Sequence, residues 1–257
     1  MPFAKKSLGQ NFLHDENVLK KISDAIDVGV GENLLEIGPG RGALTKYLLE
    51  KNAKLKAVEL DDQLVVLLRE KFPALKENLI HADVLELNFM ELFEEEFSIC
   101  GNFPYNISSP ILFKVLESKQ KVTMVVGMFQ KEVAKRIAGT HGSKEYGILS
   151  VLMQCWFEVK YLFDVTPESF SPQPKIMSGV LKMPRRKNPP VVLDEKKFVQ
   201  MVKAGFNQRR KMLRNALAQF QFPESERTAS LMTKRAEHLS VDDFVFLSNE
   251  ISKPHTA

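Results

Sequence analysis

Cysteine is close to absent. The 257-residue chain has two, Cys100 and Cys155, too few for a disulfide framework or a zinc site built of thiolates. A reducing compartment, the cytoplasm, is the expectation. Histidine is also sparse: His14, His81 and His141 stand alone and no pair has metal-ligand spacing, so no metal is expected. No run approaches the ~18 apolar residues of a membrane span. The opening MPFAKKSLGQNF has bases but no apolar core behind them, unlike a secretory signal. No membrane partner is expected. Repeats, low-complexity tracts and heptad stripes are missing as well, and the expectation is a monomer.

What is present is a globular composition, 44% apolar and 26% charged, with 13 Gly and 13 Pro. It excludes wholesale disorder, collagen and coiled coil. At ~150 residues per domain the length suits one large domain with a small one. The net charge is +4, yet residues 181–215 hold 11 Lys or Arg against 2 Asp or Glu. That concentration points to a polyanion partner.

Short apolar runs at 33–37, 55–59, 78–82, 97–101 and 122–128 read as strands buried on both faces. Helical patterns at 42–51, 61–72, 108–117 and 130–138 lie between them, and Asp15 caps an earlier helix whose apolar face holds Val18, Leu19, Ile22 and Ile26. The alternation predicts an α/β domain with a parallel sheet and helices on both faces. A helix at 145–153 and strands at 155–164 and 178–183 follow. The segment MPRRKNPPVV (183–192) reads as a linker, and the patterns after it are helical, at 195–206, 208–220, 228–236 and 241–251. The expected domains are 1–186, α/β, and 187–257, all helical.

LLEIGPGRGALT (34–45) sets Gly38, Gly40 and Gly42 between a strand and a helix. In an open parallel sheet that loop borders the ligand crevice, though its GxGxG spacing is not the GxGxxG of nicotinamide enzymes. A plain strand–helix turn would also read this way; two acids decide against it. Glu59 ends the second strand, where a carboxylate can accept both ribose hydroxyls. Asp83 ends the third, where it can accept from an adenine amine. This order resembles S-adenosylmethionine-dependent methyltransferases. Glu36, inside the first strand, is read as an anchor for the loop.

GNFPYNISSP (101–110) follows the fourth strand with an NxPY sequence: Asn102, Pro104 and Tyr105. An exocyclic base amine is a poor nucleophile because its lone pair is delocalised into the ring. Accepting its protons on the Asn102 side-chain oxygen and the Pro104 backbone carbonyl would favour a tetrahedral nitrogen, and Tyr105 offers a face for stacking, worth ~1–3 kcal/mol. Phe170, in the proline-stiffened ESFSPQPKIMSG (168–179), is the candidate for the base's other face. Trp156 reads as strand packing and Cys100 as a buried spacer.

Together GQNFL (9–13), EIGPGRGALT (36–45), NFPYNIS (102–108), FSPQPKIMS (170–178) and FNQRRKMLRN (206–215) resemble the ribosomal RNA adenine dimethylases over nearly the whole chain. The resemblance implies a Rossmann-like methyltransferase domain with a small helical domain, S-adenosylmethionine as methyl donor, and transfer of two methyls to each of two adjacent adenosines near the 3′ end of small-subunit rRNA within an assembling 30S particle. It implies that Asn11, Leu13, Gly38, Gly40, Glu59, Asp83 and Asn102 border the cofactor. Asn102, Pro104, Tyr105 and Phe170 would handle the adenine, and Arg209, Arg210, Lys211 and Arg214 would contact RNA. Phe103, where Leu or Ile is commoner, and Ile176, where Val is, are mild departures. Two other readings share the pattern: a large-subunit adenine methylase of the macrolide-resistance type, and a non-catalytic RNA-binding factor for assembly or transcription.

Overall fold

The protein is described by a computed structural model covering residues 4–5 and 8–252, apart from the side chains of Lys76 and Ser252. In chain order the elements are β1 (Phe12–Leu13), α1 (Glu16–Ala25), β2 (Asn33–Ile37), α2 (Thr45–Leu49), β3 (Lys54–Glu59), α3 (Asp62–Lys71), β4 (Leu79–His81), α4 (Phe89–Leu92), β5 (Phe97–Asn102), α5 (Ser108–Glu117), β6 (Val122–Gln130), α6 (Lys131–Ala138), α7 (Ile148–Trp156), β7 (Lys160–Val165), β8 (Phe170–Ser171), β9 (Ser178–Pro184), α8 (Glu195–Asn207), α9 (Leu213–Ala216), α10 (Glu226–Met232) and α11 (Val241–Ser252).

The chain divides into two compact units, one holding the residues up to 134 with 159–185, the other 135–158 with 186 onward. In the first, seven strands form a sheet of order β4-β3-β2-β5-β6-β9-β7. The pairs among β4, β3, β2, β5 and β6 are parallel; β9 runs antiparallel to both β6 and β7. Successive residues of a strand face opposite sides, and Leu34 and Leu35 are both wholly buried, so both faces of β2 are covered. This is the α/β sheet that the apolar runs predict. Asp15 caps α1 by accepting from the Asn17 and Val18 amides, and Leu19, Ile22 and Ile26 of its apolar face are buried. Two glycines let β5 and β6 accommodate Phe103: a Cβ at Gly101 would lie 2.3 Å from the Ile37 carbonyl oxygen, and one at Gly127 would lie 2.5 Å from the Phe103 ring. Phe103 is buried in that recess, edge-on to Phe129, which explains how the larger residue fits.

The second unit corrects the expected boundary. Residues 135–158 cluster with the C-terminal helices from 186 onward rather than with the sheet. The cause is α7, whose Val151, Leu152, Met153, Cys155 and Trp156 are all buried, so it is apolar around most of its circumference. Trp156 is not on a strand; it ends α7 and sits edge-on to Phe198 of α8. Tyr146 meets Phe206, and Phe206 stacks on Phe244. The helix expected at 145–153 begins at Ile148, because Gly147 is extended and donates its amide to the Ser150 hydroxyl. The strand expected at 155–164 accordingly starts only at Lys160. The helix expected over 208–220 shrinks to the four residues of α9.

Candidate active site

The C-terminal ends of β2, β3, β4 and β5 open onto a cavity of about 500 Å³, within the range of small-ligand sites. Asn11, Leu13, Gly38, Gly40, Glu59, Asp83, Asn102, Pro104 and Tyr105 all line it.

The loop after β2 has the backbone that its glycines suggest. Gly38 and Gly40 have φ of 68° and 57°, the left-handed region where a Cβ is costly. A Cβ at Gly40 would press on the Phe12 ring at 3.1 Å. At Gly38 the nearest atoms would be Pro104 Cδ at 3.8 Å and the Asn102 carbonyl oxygen at 3.9 Å. The glycine loop and the NxPY loop therefore face each other across the space of one small side chain.

Glu59 is buried and its carboxylate fastens the crevice. One oxygen accepts from the Gly40 amide at 3.1 Å, and the other accepts from the Leu60 and Asp61 amides at 2.9 and 3.0 Å. Burial pushes its acidity weaker than usual, against the pull of those three amides. Asp83 accepts from the Leu85 amide with one oxygen at 2.8 Å, leaving the other for a donor in the cavity. Glu36 is fully buried, and the Thr45 hydroxyl at the start of α2 donates to it at 2.7 Å. That contact is the loop anchorage the sequence suggests, and burial raises the Glu36 carboxyl to about 8.

Asn102 is oriented without ambiguity. It lies 2.9 Å from the Asn11 backbone oxygen. That oxygen can only accept, so the nearer atom is the side-chain NH₂, and the amide oxygen is left as an acceptor. The Pro104 carbonyl takes the Ile107 amide at 3.1 Å and retains its second lone pair. The Tyr105 hydroxyl bonds the buried Ser178 hydroxyl at 2.6 Å, and burial raises the phenol's pKa. Cys100 is buried, and its thiol is pushed up by burial too.

Phe170 stands apart from these residues. It is 2% exposed, sits in the apolar core with Leu13, Leu19 and Ile22, and does not line the cavity. At that exposure no face of the ring is open to a base. The physical reason is its place on β8, which pairs with β1 and sets Phe170 opposite Leu13. Neither does every base of the 209–214 cluster stand ready for a ligand. Arg209 pairs with Glu237 at 2.8 Å and donates to the Lys144 carbonyl at 2.8 Å, so it braces the second unit. Arg210, Lys211 and Arg214 are exposed.

Sequence reasoning misses three contributors. Leu60, 45% exposed, lines the cavity beside Glu59. Phe12 covers Gly40, with the Arg41 guanidinium 4.3 Å from its ring centre. Asp61 holds Lys5 at 2.8 Å and Gln10 at 3.0 Å. No local pattern announces any of these; the GQNFL block hints only that residues 9–13 matter. Among the described residues no group of three His, Cys, Asp or Glu could hold a metal, and no helix is long and apolar enough to cross a membrane.

Comparison with known proteins gives the same picture of the chain. A Cytophaga hutchinsonii protein called ribosomal RNA small subunit methyltransferase A is 46% identical over 251 residues, 97% of each chain. A Phocaeicola vulgatus protein of the same name is 47% identical over 249 residues, 96% of this chain and 89% of the relative. Among solved structures, a dimethyladenosine transferase from Plasmodium falciparum shares the fold, with a TM-score of 0.78 at 23% identity over 94% of this chain and 97% of that one. Residues 2–253 match the family described as ribosomal RNA adenine dimethylase, and with that match spanning both compact units, the chain belongs to that family.

Proposed function

We propose that this protein dimethylates the exocyclic amines of two adjacent adenosines near the 3′ end of small-subunit rRNA, using S-adenosylmethionine, in an assembling small subunit. The observation that carries the reading is Asn102. Its NH₂ is committed to the Asn11 carbonyl, which reserves the amide oxygen for an amine N–H at the cavity. The names and near-full coverage of the relatives support the choice of the small subunit.

The cavity suits the methyl donor. The Glu59 oxygen that takes the Gly40 amide keeps a lone pair for a ribose hydroxyl, while the other oxygen is filled by the Leu60 and Asp61 amides. The second Asp83 oxygen suits an adenine amine, and Gly38 leaves open the space that a side chain would fill. Bound there, S-adenosylmethionine supplies an electrophilic methyl group. The residues do the rest. The Asn102 oxygen and the free lone pair of Pro104 accept the two amine protons, turning the nitrogen lone pair out of the base plane. Tyr105, its hydroxyl tied to Ser178, presents a fixed face for the base, which must leave any stack to arrive. Asn102 orients; it does not deprotonate, because the amine becomes acidic as it gains the methyl and its proton then passes to water.

The test is methylation of unmethylated small and large subunits, offered in parallel with labelled donor, followed by mapping. Label on two adjacent adenosines is expected. Asn102→Ala should lower the single-turnover rate on the order of 10²-fold, as for loss of one preorganised hydrogen-bonding group. Label confined to large subunits would overturn the assignment of substrate, and a wild-type rate in Asn102→Ala would overturn that of the motif.

A further inference from the structure

We infer that Asp61 is a positioning residue: through the segment 8–13 it fixes the orientation of Asn102. The inference deepens the function proposed above and rests on it.

Asp61 begins α3 as its N-cap, accepting from the Gln63 amide at 3.0 Å. A cap needs one oxygen and tolerates exposure. Asp61 does more. Its side chain is 1% exposed. The oxygen that caps the helix also takes the Lys5 ammonium at 2.8 Å, and the second oxygen takes the Gln10 amide nitrogen at 3.0 Å. Gln10 turns its own amide oxygen to the Lys5 backbone N–H at 2.8 Å, so Lys5, Asp61 and Gln10 close a ring of hydrogen bonds. The next residue, Asn11, offers the carbonyl that holds the Asn102 NH₂.

On its other side the segment is held by the two-residue ladder of β1 with β8 and by the His14 amide on the Ser169 carbonyl at 2.9 Å. Two-stranded pairings of that size are weak on their own. The ring at Asp61 is the second fastening, and it sits directly before Asn11. The Asp61 backbone N–H meanwhile donates to Glu59. One residue thus touches the acid proposed for the ribose and, through Gln10 and the adjacent Asn11, governs the amide proposed for the base. Released from Asp61, Asn11 would no longer hold its carbonyl at one place, and the Asn102 amide could rotate and present NH₂ where an acceptor is required.

Asp61→Asn separates this role from the cap, since Asn caps helices as well as Asp, while the charged partner of Lys5 is lost. Lys5→Met breaks the same contact from a half-exposed side chain that caps nothing. The first readout is amide hydrogen exchange over residues 8–14 in ligand-free protein, which needs no substrate. Exchange about tenfold faster in both variants is expected, in line with one charge-assisted hydrogen bond, with the melting temperature held. The second is single-turnover methylation at saturating donor and small subunits. Asp61→Asn should slow it about tenfold without a matching change in donor affinity, and adding Asp61→Asn to Asn102→Ala should slow it no further. Unaltered exchange, or losses that multiply in the double variant, would overturn the inference. Wild-type protein inactive on small subunits would overturn the proposed function, and the exchange comparison would still decide whether Asp61 fastens the segment.

Discussion

Glu36 shows what one side chain can impose. In the fold its carboxyl holds a proton up to about pH 8, against an ordinary value of 4.5, because it is wholly buried, with a weaker push from Glu59. The unfolded chain gives that proton up near the ordinary value. Between the two, unfolding releases a proton, so stability falls as pH rises from about 4.5 to about 8 and this group adds no slope outside that window. At ~1.4 kcal/mol per unit the loss is a few kcal/mol. Glu36→Gln keeps an acceptor for Thr45 and has no proton to lose. Urea unfolding at pH 5 and pH 8, without methyl donor, should therefore show the wild type losing a few kcal/mol more than the variant; equal losses would mean Glu36 is ionised in the fold. At this scale the sequence is legible where a polar residue stands at a strand end and lines the cavity, as for Glu59, Asp83 and Asn102. It is silent on Asp61, whose partners Gln10 and Lys5 lie 51 and 56 residues away. Nothing in a capping aspartate distinguishes one that also holds a distant strand.

Elements were legible in proportion to how fully burial controls them. The parallel strands stand out because both faces are covered and their apolar runs are continuous, as at Leu34 and Leu35. The β1–β8 pair is two residues long and leaves no period to read. Residues 135–158 look like a continuation of the α/β alternation, and only the near-uniform burial of α7 reveals the other partner. Phe170 is hard to read for a related reason: prolines beside an aromatic stiffen a loop whether the ring faces a ligand or the core. The structure assigns it to the core, so Phe170→Ala should cost roughly 3–5 kcal/mol in chemical denaturation, and activity should fall with the folded fraction. Full stability with methylation lost would return Phe170 to the base.

Across the whole molecule, charge is concentrated rather than balanced: residues 181–215 carry 11 bases and 2 acids in a chain of net charge +4. Phosphate neutralisation releases counterions, so affinity for small subunits should fall steeply with salt. Reversing the exposed Arg210, Lys211 and Arg214 to Glu should weaken that affinity and flatten its salt dependence, with the melting temperature and donor binding retained. Arg209→Ala, which breaks the bond to Glu237, should instead lower the melting temperature. Unchanged subunit binding by the triple variant would remove the cluster from the interface. The segment 8–14 has its own consequence at this scale. Its ladder partner Ser171 and its amide acceptor Ser169 lie far along the chain, so on the ribosome it waits through most of synthesis before it can close over the crevice. Long-range closure of that kind is slow to form. The nascent protein can therefore complete its sheet order from β4 to β6 with the segment that orients Asn102 still open, and that segment closes only when β8 has emerged.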